Sequence, residues 1–254
     1  MDKTIQERQE DVMGKQYWRG GNMLYPVPAV MVSCGRPEER PNIITVAWAG
    51  TVCSSPAMVS ISVRKERYSY DILKETGEFV INLITRDLTY ATDFCGVRSG
   101  RDVDKFAQMH LTPLPSQHIS APGIAESPVN LECKVTQVIP LGSHDMFLAE
   151  VLGVTVDEKY MDENGKFHLN DAGLVAYSHG EYFELGEKLG KFGYSVAKKQ
   201  AAKTESVTKS AKPSGAGKKA ASAENRTASK TGAGNRRKSA SKTGSADKQK
   251  SRRK

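Results

Sequence analysis

The 254-residue chain lacks the short motifs that announce the common nucleotide and hydrolase chemistries. No GxGxxG follows a strand-like run and no GxxxxGK(S/T) occurs, which argues against a dinucleotide fold and a P-loop NTPase. The half-match Gly215-Ala216-Gly217-Lys218 has no strand before it. HExxH and GxSxG are missing as well, so neither a zinc protease nor a nucleophile-elbow hydrolase is indicated. Four cysteines, at 34, 53, 95 and 133, stand far apart without a CxxC, which excludes a zinc ribbon and a dense disulfide frame. Reduced thiols in a cytoplasmic setting are the simplest expectation. No apolar run reaches the roughly 18 residues of a transmembrane helix. The polar opening Met1-Asp2-Lys3-Thr4-Ile5-Gln6-Glu7-Arg8 carries no signal-peptide core.

Aromatic residues and acids are missing from one end. All 18 aromatics precede Lys198, the last being Tyr194. Residues 198–254 hold 18 Lys and Arg against 3 acids, a net +15, whereas residues 1–197 carry −7. Val207 is the only long or branched aliphatic side chain in that tail. Such a segment buries too little surface to offset chain entropy, so the sequence predicts a disordered basic tail over 198–254. Residues 1–22 are polar and read as an N-terminal arm. The 23–197 body is long enough for one core.

Within the body the patterning is mainly that of strands. Val27 to Cys34 is a short apolar run ending at Gly35. Asn42 to Cys53 is rich in β-branched residues and reads as one buried strand, broken by Ser54-Ser55-Pro56. Met58 to Val63 alternates as a half-buried strand would. Ser69 to Gly77 reads as a short helix, with Ser69 as N-cap and Gly77 as stop. Phe79 to Leu83 is the next strand, a second helix runs from Asp87 to about Cys95, and Asp102 to Gln108 suits one more helical turn. After a Pro-punctuated crossing, Val129 to Thr136 alternates clearly and Met146 to Val156 pairs back on it. Asp162-Glu163-Asn164-Gly165 is a hairpin tip, and Leu174 to Tyr177 is the last strand. About seven strands at both ends, with helices inserted between them, predict a β-barrel with short helices rather than a doubly wound sheet.

Two cationic loops stand out in this acidic body. Arg64-Lys65-Glu66-Arg67 follows a strand and precedes a helix start at Ser69, an arrangement suited to a phosphate group. Ser99-Gly100-Arg101-Asp102, followed by Lys105, forms a second polar loop, whose glycine permits close backbone approach; Asp102 also suits an ordinary helix cap. Trp48, beside Gly50 and Cys53, is placed either in the core or against a planar ligand. His144 sits at a turn between Gly142 and Asp145, and the other four histidines show no metal-like spacing.

At the level of whole blocks the chain resembles a known family. PNIITVAWAGTVCSSPAMVSISVRKERYSYD, ETGEFVINL, CGVRSGRDVDKF, SPVNLECKV, LGSHDMFLAEV and HGEYFELGEKLGKFGYSV occur in this order and resemble the flavin reductase-like proteins with an FMN-binding split β-barrel. The flavoredoxin-like branch, which includes archaeal ferric reductases, is the most similar. The resemblance implies a homodimer that binds FMN noncovalently near the subunit interface. It implies electron flow from NADH or NADPH through the flavin to free flavin, ferric iron or a partner protein. Carried onto this chain, Asn42, Thr45, Val46, Ala47 and Trp48 would line the ring, and Cys53 and Ser54 would approach it. Arg64 and Ser69 would hold the phosphate, Ser99, Gly100, Arg101, Asp102 and Lys105 would close over the cofactor, and His144 would reach in from a later hairpin. No catalytic acid, base or metal is implied.

A flavin-binding electron carrier or sensor without nicotinamide activity rests on the same blocks. The tail adds a separate expectation. A polycation without aromatics binds nucleic acid or acidic partners through counterion release, blind to base sequence.

Overall fold

The computed structural model describes residues 14–197. The basic tail and the first residues of the arm lie outside the described residues. Residues 14–24 form neither helix nor strand and are exposed. One compact unit ends at Phe192; of the next, which begins at Gly193, the described part is a single 3-10 turn at Tyr194–Val196. No described helix is long and apolar enough to cross a membrane.

Seven strands make one antiparallel sheet. In chain order they are β2 (Val30–Cys34), β3 (Asn42–Val46), β4 (Ala49–Ser54), β5 (Ala57–Arg64), β6 (Glu78–Leu83), β9 (Val129–Pro140) and β10 (His144–Val156), following a short β1 (Val27–Pro28). Their spatial order is β3-β2-β6-β9-β10-β5-β4. The edge strands β3 and β4 are joined by only Ala47 and Trp48, and the Ser62 N–H donates to the Trp48 carbonyl at 2.9 Å, so β3 comes to lie against β5. The sheet thereby curls on itself as a split β-barrel. Its interior holds Val32, Ile44, Ile61 and Val63 together with the fully buried Phe79 and Phe147. Helix α1 (Tyr68–Thr76) adds Tyr70, Ile72 and Leu73 to that core, and Tyr70 meets Phe147 edge-on at 5.8 Å.

Strands β2 and β3 read as continuous apolar runs because both of their faces are covered. Val32 and Ile44 face the barrel, whereas Met31 and Ile43 face a second cluster formed with Leu88, Ala91 and Phe106. Helices α2 (Thr89–Val97) and α3 (Lys105–Gln108) build that outer layer. The crossing 113–128 contains a two-stranded pair, β7 (Pro113–Leu114) and β8 (Gly123–Ile124). A three-stranded sheet joins β1 to β11 (Val175–Ser178) and β12 (Glu181–Glu184).

Several local expectations change. Asn42 to Cys53 is two strands, and β4 is mostly exposed rather than buried, because it packs mainly on β5 while α2 and α3 cover the outer face of β3. The N-cap of α1 is Arg67 rather than Ser69; Ser69 is buried inside the first turn, where its Oγ accepts from Asn42 Nδ2 at 2.7 Å. Gly77 does end the helix, in the left-handed region at φ 63° with its N–H on the Leu73 carbonyl. Asp104, not Asp102, caps α3, accepting from the Ala107 N–H at 3.1 Å. The polar face of β9 is buried at Asn130 and Glu132, where the 113–128 crossing covers it and Glu132 accepts from the backbone N–H groups of Gln117 and His118, while Lys134 and Thr136 stay exposed.

Candidate functional site

Three adjoining cavities run along the edge where β3 turns into β4. The first, about 150 Å³, is lined by Asn42, Arg67, Ser69, Ser99, Gly100, Arg101 and Lys105 among others. The second, about 140 Å³, is lined by Ile44 to Trp48, by Ser62 to Arg64, and by Arg67 and His144. They share Ile44 and Arg67. The third, about 420 Å³, shares Trp48, Ser62 and His144 with the second and is completed by Gly21 to Leu24 and Leu141. The result is a groove that is cationic at one end and aromatic at the other.

The cationic end is assembled from three distant segments. The β5–α1 turn supplies Arg67 and the N–H groups of Tyr68 and Ser69, which stand at the helix start ahead of the first intrahelical bonds. The loop after α2 supplies Arg98, Ser99, Gly100 and Arg101. Arg101 lies over the Tyr68 ring at 5.5 Å and donates to the Glu66 carbonyl at 3.3 Å. Gly100 is obligatory by packing: a Cβ there would stand 2.6 Å from Tyr68 Cδ1 and closer still to Asn42 Oδ1. From α3 comes Lys105, only 3% exposed, whose Nζ donates to the carbonyls of Ile43 at 2.6 Å and Cys95 at 2.7 Å. Two of its three donors are thus used, and no carboxylate pairs with it among the described residues. Burial pushes its pKa down to about 8. Burial likewise pushes the thiols of Cys34 and Cys95 up to about 11, so both stay protonated at neutral pH.

At the other end Trp48 and His144 both line the second and third cavities. His144 pairs in register with Arg64. Its ring nitrogen Nδ1 lies 2.9 Å from Ser143 Oγ. Burial first, then the charges of Arg64 and Arg67, hold its pKa below the usual histidine value, so the ring is neutral at pH 7. The Tyr25 ring lies 6.2 Å from that of Trp48, tilted by 43°.

Most of the residues singled out in the sequence meet here. Asn42, Thr45, Val46, Ala47, Trp48, Arg64, Ser69, Ser99, Gly100, Arg101, Lys105 and His144 all line the first two cavities. Thr45 also donates to the Thr92 carbonyl, and Val46 turns its side chain into the barrel. Three residues stand apart within the single chain. Cys53 and Ser54 pair with Met58 and Ala57, at the far end of β5 from Arg64, because β4 runs away from the groove. Asp102 is exposed and lines none of the three cavities; its N–H closes a turn on the Ser99 carbonyl. Arg67, Arg98 and Ser62 line the groove as well. Arg67 belongs to the cationic run before the helix start, and Arg98 directly precedes Ser99 in the second polar loop, so both carry a local signal. Ser62 carries none, since only the closed barrel brings it to the groove.

A flavin reductase like domain matches residues 22–186. An uncharacterized protein of Archaeoglobus fulgidus is 31% identical over 160 residues, 63% of this chain and 88% of that protein. A solved flavoredoxin of Desulfovibrio vulgaris superposes with a TM-score of 0.67 at 34% identity, over 72% of this chain and all of the other. An FMN-binding protein of Thermus thermophilus, at 23% identity and a TM-score of 0.59, covers 70% of this chain and 99% of its own and shares the fold. The domain match spans well over half of the chain, and on that ground this chain belongs to the flavin reductase-like family.

Proposed function

We propose that the chain is an FMN-dependent oxidoreductase that passes electrons from NADH or NADPH through bound flavin to a small acceptor. The observation that carries this reading is the groove itself: a cationic pocket joined, along one backbone edge, to a pocket walled by Trp48 and His144, in a chain of this family. The residues present suit FMN. An anionic phosphate matches Arg67, Lys105 and the α1 amides, with Glu66 as the single acid on that wall. A flat ring matches the β3 edge and the Trp48 side chain.

When bound, FMN supplies the electron-transfer chemistry. The protein's part is placement and charge. Lys105, fixed by two carbonyls, holds its ammonium at the anionic end. Gly100 lets the backbone approach closely. The β3 backbone and nearby cations favour extra negative charge on a ligand lying along them. His144, neutral and oriented by Ser143, offers an uncharged imidazole at the ring end. The third cavity leaves room beside Trp48 for a second, weakly held molecule. A homodimer is part of the same reading. Val52 on β4 and Leu152 and Val154 on β10 are exposed apolar side chains that a second copy would cover.

The visible spectrum of the purified protein tests the proposal. Yellow protein that bleaches on adding NADPH or NADH supports it; colourless protein that fails to bind added FMN ends it. The 34% identity to a flavoredoxin favours a second reading, a flavin-bound carrier without nicotinamide activity. Stopped-flow mixing separates the two: useful rates of bleaching with either nicotinamide reject the carrier.

A further inference from the structure

Among the described residues, Asp145 Oδ1 is the one buried side-chain polar atom with no hydrogen-bond partner. Asp145 is 3% exposed. Its Oδ2 accepts from Tyr70 Oη at 2.5 Å, and Lys65 Nζ stands 3.4 Å from Oδ1 as an ion pair without a hydrogen bond. A half-satisfied buried carboxylate is costly, and an apolar residue beside Phe147 would fill the same space without that cost. Its retention asks for a reason.

The reason lies in what its two anchors adjoin. Lys65 is the chain neighbour of Arg64, Tyr70 is the chain neighbour of Ser69, and Asp145 itself follows His144. Strand alternation turns His144 toward the groove and Asp145 to the opposite face. Between the anchors runs the turn that carries Arg64, Arg67 and Ser69. The turn is closed by the Arg67 N–H on the Arg64 carbonyl at 3.1 Å and the Tyr70 N–H on the Arg67 carbonyl at 2.9 Å. One carboxylate therefore grips both ends of the segment that presents cations and helix amides to the groove.

We propose that Asp145 is a positioning residue for the anionic end of the ligand, acting through Lys65 and Tyr70 on the Arg64–Ser69 turn. This inference rests on the FMN reading and extends it. It assigns to a side chain on the wrong side of the sheet a role in selecting a phosphate-bearing flavin over the same ring without phosphate.

The experiment titrates FMN and riboflavin into the full-length protein and into Asp145→Asn, Tyr70→Phe and Arg67→Ala, following quenching of flavin fluorescence. The parent prefers FMN. In Asp145→Asn, FMN affinity falls roughly tenfold, as for the loss of one charge-assisted contact, while riboflavin affinity changes less than about twofold. Tyr70→Phe, which removes only a hydroxyl, shifts the same ratio in the same direction and carries the test where Asp145→Asn does not fold. Because Asp145 acts through the turn, Asp145→Asn adds little in an Arg67→Ala background. An unchanged FMN-to-riboflavin ratio in both single variants overturns the proposal, as does an equal loss for both ligands, which marks a merely structural role. A parent protein that binds neither flavin overturns the FMN reading itself, and the positioning role falls with it.

Discussion

Lys105 shows how one residue type changes meaning with its surroundings. In the sequence it is one of 37 basic residues; in the fold it is a cation 3% exposed, tied to two carbonyls on the wall of a cavity. Burial holds its pKa at about 8, below the ordinary 10.5. Between pH 8 and 10.5 the unfolded chain holds more protons on this residue than the flavin-free native protein does. The Lys105 contribution to stability therefore rises with pH across that window. A phosphate in the groove favours the charged form, so FMN affinity falls as pH rises through 8. Titrations at pH 7, 8 and 9 on the parent and on Lys105→Met check this; equal pH dependence in both assigns the effect to another group. Gly100 gives a steric counterpart. In Gly100→Ala the new methyl meets Asn42 and Tyr68, and the loop must shift. The expected result is a stability loss of about 1–3 kcal/mol by thermal melting, together with weakened FMN binding.

At the scale of elements, the signals that survived folding were periodic ones. The alternation of Met58 to Val63 and of Val129 to Thr136 marked true strands, and Gly77 marked a true helix end. Signals that depend on what covers a face did not survive. β4 continues the run begun by β3 and both are edge strands, but helices α2 and α3 cover the outer face of β3 whereas β4 packs mainly on β5. Asn130 and Glu132 on β9 read as a surface pattern in the sequence and form part of a buried network in the fold. Asn82 shows how that network is held: its Nδ2 donates to the Met31 carbonyl at 2.8 Å, while its Oδ1 accepts from the Ile124 N–H at 2.9 Å and from Asn130 Nδ2 at 2.7 Å. One amide thus ties β2, β6, β8 and β9 together. Asn82→Ala leaves several buried groups unpaired, and urea unfolding is expected to show a loss of about 2–4 kcal/mol, larger than for an exposed change such as Val52→Ala.

At the scale of the whole molecule, the charge division between residues 1–197 and 198–254 predicts two separable properties. Deleting 198–254 is expected to abolish retention on DNA or RNA and to leave flavin binding intact. The retention in the full chain should fall steeply with salt, because polycation binding is driven by counterion release. Retention indifferent to salt, or surviving the deletion, contradicts the electrostatic account; both are read from a salt-gradient elution.

Composition and local pattern by themselves determined the class of fold, the cationic character of two loops and the division between acidic body and basic tail, because each depends on residues close together in the chain. Tertiary structure alone decided that Lys105 is buried, that Cys53 and Ser54 lie beyond the groove, that Ser62 belongs to it, and that Asp145 braces it from behind. Those facts depend on β3 curling against β5 and on the helices packing over the sheet, which bring together residues whose separation in sequence carries no trace of their proximity.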